Sequence, residues 1–366
     1  MNKDLNECPP NITIFSPTGT TFKSLLLTDR AYGGADQTLL RLIHKILFSE
    51  YLLKAFIPVN KDYYNIENED GEMQGVVRPF MKIFDKDFET DILIIYRKCW
   101  VIPRTVKYKK LIFYSQDDLN SPCFSGVTKD YFKPFDKIIC LSQYHKNKFI
   151  EFGVDENKLI IIGNGANELS EKERTEIKKV PLNFIYCSTP FRGLAVLMKI
   201  WKDYIIKYFP NAKIHIFSSM KIYDGEKEDE LFFNKHYEMI KKIKGVIYYG
   251  TQTQDKVLKC MKKCTALLYP NTFEETYCNV IMEARACETP FITSNKGALK
   301  ETGGEAGIYI NGNPYTSEYQ FEFFKQLKYL IKNIQEYKNK CYPIRTWKDW
   351  EKEINEVLKN VIRPKV

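Results

Sequence analysis

The sequence predicts an α/β protein made of two doubly wound, mostly parallel sheets that face each other across a cleft. Three observations carry that reading. The chain has 366 residues, the length of two domains. Short apolar runs rich in β-branched residues recur along both halves, continuous rather than alternating, as in parallel strands buried on both faces. Helical patterns lie between many of them, and a β–α alternation builds doubly wound sheets.

In the first half the strand-like runs are 12–15, 54–59, 91–96, 111–114, 137–141 and 158–162. In the second they are 183–187, 213–218, 245–249, 265–269, 290–293 and 307–310. Helical periodicity marks 34–49, 193–208, 253–264 and 279–288. Residues 169–181 (LSEKERTEIKKVP) are polar and end in proline, the composition of a linker. The expected division is therefore 1–168, a linker at 169–181, a second domain at 182–343, and a tail at 344–366. Within that tail, 344–360 reads as an amphipathic helix presenting Trp347, Trp350, Ile354 and Val357.

Composition narrows the function classes. Apolar residues make up 44% and charged residues 28%, which excludes a disordered or fibrous chain. No apolar run reaches the roughly 18–20 residues of a membrane span, and the first residues lack the order of a signal peptide. A cytoplasmic protein is expected, soluble or peripheral on a membrane face. Ten cysteines occur without a CxxC pair, so neither a disulfide framework nor a zinc ribbon is indicated. Cys260 and Cys264, at i,i+4, are half a metal ligand set; with no histidine near them in sequence they read as ordinary helix residues, and no metal is expected. The net charge of +9 is spread out. Its small clusters, at 107–110, 145–148 and 172–179, read as solvated faces, and nucleic acid is not expected as a partner. The pair Asp85 and Asp87 reads as a charged loop rather than a metal-binding DxD.

The chemistry-bearing stretch is 265–304. A buried strand ends at Tyr269, a polar loop carries Glu274 and Glu275, and a helix begins near Cys278. The amides of Thr276, Tyr277, Cys278 and Asn279 at that helix entrance suit a phosphate or sugar oxygen. Glu283 follows Glu275 with seven residues between, and a carboxylate can accept two hydroxyls at once. Two acids flanking an anion-binding helix start describe a nucleotide-sugar site.

The run Glu275-Thr-Tyr-Cys-Asn-Val-Ile-Met-Glu283-Ala-Arg-Ala-Cys-Glu-Thr-Pro290, followed by Gly297-Ala-Leu-Lys-Glu301, resembles the Glu–x7–Glu region of family 4 retaining glycosyltransferases. These are glycosyl transferases of group 1 with the GT-B fold, two Rossmann-like domains facing a cleft. Tyr32-Gly33-Gly34-Ala35-Asp36 is similar to that family's GGAE turn, and Arg192-Gly193 stands where it has Lys-Gly. Residues 134–167, with Ser142 at a helix N-cap and Asn164-Gly165 in a turn, resemble its first-domain exit segment. The chain departs at Glu288, where the family usually has Gly, at Cys187, in place of an Arg, and at Gln116, where many members have His.

The resemblance implies transfer of a hexose-type sugar, with retention, from a nucleotide-diphosphate donor to a glycan, lipid or protein, without cofactor or metal. Glu275, Arg192 and Gln116 would be the catalytic group. Glu283, the amides of residues 276–279, Gly33 and Gly34 would hold the donor, with Asp117, Ser142, Asn164 and Glu274 in support. A nucleotide-sugar epimerase, or a non-catalytic carbohydrate- or nucleic-acid-binding protein of the same fold, stays open as an alternative.

Overall fold

A computed structural model of the chain describes residues 9–17, 21–22, 32–47, 51–60, 64–67, 73–97, 101–223 and 227–362. Its strands form two sheets. The first comprises β1 (Asn11–Phe15), β2 (Leu52–Ile57), β3 (Tyr64–Glu67), β4 (Met73–Pro79), β5 (Phe88–Tyr96), β6 (Val106–Tyr114), β7 (Lys137–Cys140) and β8 (Leu159–Ile161). Their order is β3-β4-β2-β1-β5-β6-β7-β8. The second comprises β9 (Asn183–Cys187), β10 (Lys213–Phe217), β11 (Val246–Tyr248), β12 (Ala266–Tyr269), β13 (Phe291–Ser294) and β14 (Gly307–Ile310), in the order β11-β10-β9-β12-β13-β14. Every ladder is parallel except β3 with β4.

Two doubly wound parallel sheets is the expected fold class. Each expected strand has a counterpart, and β3 and β4 are added at the edge. Those two escape the pattern because β4 (MQGVVRP) contains Gly75 and Pro79, and β3 pairs only with it. β5 and β6 also start earlier than their apolar runs, paired from Phe88 and Val106 onward.

The helices are α1 (Gly34–Leu47), α2 (Gln143–Glu151), α3 (Glu171–Glu176), α4 (Leu194–Ile200), α5 (Ile206–Tyr208) and α6 (Lys227–Ile240). After them come α7 (Gln254–Met261), α8 (Asn279–Ala286), α9 (Leu299–Gly303), α10 (Ser317–Lys332), α11 (Ile334–Asn339) and α12 (Trp347–Ile362). A π turn at Trp201–Ile205 joins α4 to α5, so the expected helix over 193–208 is nearly continuous. Residues 48 and 49 of the expected first helix lie outside the described residues.

One face of the first sheet packs on α1 and α12 through Ile12, Ile43, Leu53 and Tyr114; its other face carries an aromatic cluster of Phe113, Phe132, Phe135 and Phe149. The second sheet has a single core built around Phe184, Trp201, Leu267 and Phe323. The chain crosses between the sheets twice. The first crossing is the linker, where Ser170 and Glu173 make a reciprocal capping box at the start of α3. Two of its basic residues, Lys172 and Lys178, are exposed as expected, and two are engaged. Arg174 pairs with Glu288 at 3.0 Å, and the half-buried Lys179 donates to the Cys287 carbonyl and the Thr289 hydroxyl. Burial lowers the Lys179 pKa to about 8.

The second crossing leads into α12. The helix starts at Trp347 rather than 344 because Thr346 caps it, its hydroxyl accepting from Asp349 N–H while Asp349 accepts from Thr346 N–H. Trp347, Trp350, Ile354, Val357, Leu358 and Val361 then enter the first sheet's core, and Trp350 Nε1 donates to Tyr114 Oη at 2.8 Å. The two crossings lie side by side: Ala166 bridges Thr346, and Ala166 N–H donates to the Arg345 carbonyl.

Candidate active site

A cavity of about 250 Å³ opens between the carboxyl ends of the two sheets, where doubly wound sheets place ligands. Its walls are the residues that directly follow strands: Arg97 after β5, Gln116 after β6, Asn164 after β8, Ser218 after β10 and Thr251 after β11.

The second-domain wall is centred on α8. Glu275 is buried in the loop before it and takes three hydrogen bonds: Arg192 Nη1 at 2.7 and 3.0 Å, and Tyr269 Oη at 2.7 Å. Arg192 reaches it because Gly193 opens α4 at φ +100°, with its α-carbon against the Pro270 carbonyl where a side chain would collide. The guanidinium also lies 4.6 Å from the Phe273 ring. The sequence places Arg192 as a cation for a diphosphate; the structure brings it onto the neighbouring carboxylate. The two act as one unit.

Glu283 lies in the body of α8 and opens onto the cavity while protein surrounds the rest of it. Gln254 Nε2 donates to its Oε1 at 2.5 Å. Burial raises its pKa to about 7, partly opposed by Gln254 and by Arg41 on α1. Arg41, which sequence reasoning missed, stacks on Trp347 at 4.2 Å and links this carboxylate to the start of α12.

Glu288, the departure from Gly, ends α8 in the left-handed region at φ +49°. Thr289 N–H donates to the Ala284 carbonyl and Glu288 N–H to that of Arg285, the two bonds of a Schellman turn. Gly153 ends α2 in the same way, with Val154 N–H on the Phe149 carbonyl and Gly153 N–H on that of Ile150. A side chain at that position costs about 1 kcal/mol. Glu288 offsets it with ion pairs to Arg174 and Lys338, each at 3.0 Å, which tie the linker and α11 to the end of α8.

The facing wall is the N-terminus of α1. Gly34 opens that helix, and a Cβ there would lie 2.7 Å from the Asn279 amide nitrogen. Glycine thus lets the entrances of α1 and α8 approach. Thr38 Oγ1 donates to Asn164 Oδ1 and Asn164 Nδ2 to Asn279 Oδ1, each at 3.1 Å, so one amide links both helices. Two helix N-termini converging on one cavity make it electropositive.

Beside α1, Gln116 is buried. Its carbonyl accepts from Thr276 Oγ1 at 2.9 Å, while its side-chain Nε2 has no hydrogen-bond partner in the structure. A buried donor left open at a cavity wall is a place for a ligand oxygen. Asp117 is held by Arg97 at 2.8 and 3.3 Å, and Arg97 also lies 3.9 Å from Asp36. Burial disfavours the Arg97 charge, but Asp117 and Asp36 outweigh it and raise its pKa. Arg97 sits at φ +68° and lines the cavity. No spacing signal marks it; its only clue is that it ends a strand.

His145 was counted among the basic residues at 145–148, and the structure buries it. Its Nδ1 accepts from Leu141 N–H at 3.2 Å, so Nε2 carries the proton toward the Asp117 carbonyl at 3.1 Å. Burial lowers its pKa to about 4, and the neutral ring braces the 115–118 loop. The 107–110 cluster is paired too, Lys109 with Asp91 and Lys110 with Asp136.

Two expected residues, Ser142 and Glu274, stand back from the cavity. Ser142 does cap α2, and its hydroxyl donates to the Thr276 carbonyl across the domains. Glu274 is exposed and pairs with Lys296. Cys187 lines the cavity as a buried thiol, so the cation its position has in the family is missing here.

This arrangement is that of a GT-B fold. Residues 183–333, most of the second domain, match the family model of glycosyl transferases group 1. An uncharacterized glycosyltransferase of Methanocaldococcus jannaschii, MJ1178, is 28% identical over 176 residues, 45% of this chain and 42% of that protein. The chain thus spans less than half the length of this curated relative. Among solved structures, sucrose-phosphate synthase from Thermosynechococcus elongatus superimposes with a TM-score of 0.66 at 12% identity, over 97% of this chain and all of that one. Anabaena HepE in complex with UDP-glucose gives 0.62 at 14% identity, over 96% of this chain and all of that one. Among the described residues, no helix is long and apolar enough to cross a membrane.

Proposed function

We propose that this protein transfers a hexose-type sugar from a nucleoside-diphosphate donor to an acceptor hydroxyl, with retention at the anomeric carbon. The observation that carries the proposal is the convergence, on one interdomain cavity, of two helix N-termini, the Arg192–Glu275–Tyr269 unit and the open Gln116 amide. UDP is the favoured nucleotide, because HepE of the same fold is complexed with UDP-glucose.

In this reading the α8 entrance takes the diphosphate, Glu283 accepts from the ribose hydroxyls, and Glu275 accepts from the sugar. Negative charge developing on the departing diphosphate meets the helix amides and the Arg192 guanidinium. Both are held in place before the reaction, and such preorganised groups stabilise a transition state without rearrangement. Glu275 already accepts three hydrogen bonds, which hold its charge and leave room on Oε2 for a sugar hydroxyl, so it is poorly suited to attack carbon. Front-face departure of the diphosphate, with the acceptor proton passing to the phosphate oxygen, therefore suits the site better than a covalent intermediate. No metal has a part in this scheme. Of the acidic groups at the cavity, Asp36, Asp117 and Glu275 face arginines, and Glu283 is bonded by Gln254.

The test is calorimetric binding of UDP, GDP and ADP, followed by transfer and hydrolysis assays with the matching sugar donors. UDP binding that Glu283→Ala abolishes, together with sugar release of retained configuration, is the expected result. Binding without any turnover would make this a carbohydrate-binding protein on a GT-B scaffold. Product of inverted configuration would refute the stereochemistry.

A further inference from the structure

The second sheet assembles a cluster that lies apart from the reacting groups. His215 comes from the middle of β10, Cys260 from the last turn of α7, and Cys264 from the turn before β12. Their ligand atoms lie within 4.8 Å of one another, and the two sulfurs are 4.0 Å apart. Bonds of about 2.3 Å to sulfur and 2.0–2.1 Å to nitrogen at tetrahedral angles put ligand atoms roughly 3.5–3.8 Å apart. The three side chains are therefore spaced to close on one ion with small rotations.

The donor set and its surroundings agree with that spacing. Two thiols and an imidazole are soft ligands, the set that zinc prefers over magnesium or calcium. Cys264 is buried, while Cys260 and His215 are half-buried, so an ion has a route in from solvent. His215 Nδ1 lies 3.0 Å from Tyr249 Oη, and the two rings stack at 5.8 Å. With Nδ1–H donated to the phenol, Nε2 keeps its lone pair for a metal, and metal-binding histidines generally carry such an outer partner.

We propose that His215, Cys260 and Cys264 form a three-ligand site for a zinc-type divalent ion, its fourth position open to water. Binding releases both thiol protons and leaves two thiolates and a neutral imidazole on the ion. The ion joins α7 to β10. Those elements lead into the cavity rim, β10 to Phe217 and Ser218 and α7 from Gln254, the partner of Glu283. Its role is to hold the rim's shape, and it does not depend on the transferase reading.

Chelator-treated full-length protein, titrated with Zn(II) and with Co(II), tests the site. One equivalent of Zn(II) retained through gel filtration is expected, along with the near-ultraviolet sulfur-to-cobalt charge-transfer band of the Co(II) form. His215→Ala and Cys260→Ser should each weaken Zn(II) by more than tenfold, Tyr249→Phe by about tenfold, and Cys123→Ser not at all. If Cys260→Ser misfolds, His215→Ala on the half-exposed strand position decides alone. Failure to retain Zn(II), or retention unchanged by His215→Ala, overturns the proposal.

Discussion

Two features of the cavity walls are built on opposite plans. On the second-domain side, both carboxylates are held before any ligand arrives: Arg192 and Tyr269 bond Glu275, and Gln254 bonds Glu283. On the first-domain side, the buried Nε2 of Gln116 has no hydrogen-bond partner. An internal ion pair contributes stability and fixed geometry. An open donor gains its partner only when the cavity fills. Changes to the Arg192–Glu275 pair should therefore lower stability and activity together, whereas changes to Gln116 should lower binding alone.

The largest expected effect is Glu275→Ala. It takes the carboxylate away from the largely buried Arg192, which costs about 3–5 kcal/mol, and it removes a group from the sugar's side of the site. A fall in the denaturant midpoint and a loss of transfer of about 10²–10³-fold should appear together. An unchanged midpoint would break the comparison.

Next is Glu283. Its folded pKa of about 7 lies above the usual value of 4.5, so between those values the folded protein binds the extra proton. Stability should fall as pH rises from about 4.5 to 7, by about 3 kcal/mol in all at 1.36 kcal/mol per unit. Glu283→Gln should therefore stabilise the protein at pH 8 and change little at pH 4.5, as read by urea melts. Because a carboxylate accepting hydroxyls must be ionised, UDP binding at pH 6.5 should release protons, detectable as a buffer-dependent binding enthalpy.

Gln116→Leu sharpens the contrast. Replacing an unpaired buried amide with an apolar side chain should leave the melting temperature unchanged or higher. Donor KM should rise about tenfold, the worth of one hydrogen bond. Loss of stability would show that the amide is bonded after all.

The smallest effect is expected at Glu288→Gly. Relief of the left-handed backbone, about 1 kcal/mol, nearly balances the lost ion pairs to Arg174 and Lys338. The net change should stay within about 1 kcal/mol and should turn destabilising only at low salt, where the partly exposed Arg174 and Lys338 pair most strongly with the carboxylate.

The same division explains what could be read from the sequence. The strands were legible because buried parallel strands are continuous apolar runs. β4 was not, because its Gly and Pro contradict that pattern. On the second-domain wall, Glu275, the α8 entrance and Glu283 are contiguous, and their spacing is itself the signal. On the first-domain wall, Arg97, Gln116 and Asn164 come from three different strand ends, and only topology joins them. Arg97 and His145 gave no local sign of their partners, nor did His215, 45 positions before Cys260. A lone charged or aromatic residue after a strand looks alike in sequence whether it faces water or a cavity.

The paired crossings between the sheets also govern motion. A single connecting segment would let one domain swing and twist freely about the other. Here two segments run abreast, bonded to each other at Ala166 and Arg345, and the far end of the second is bolted into the first sheet by Trp350. Such a double strap bends readily along one line and resists torsion. Any opening of the cavity would break the Ser142–Thr276 and Asn164–Asn279 bonds, and the paired straps would then steer the α1 and α8 entrances back to the same alignment.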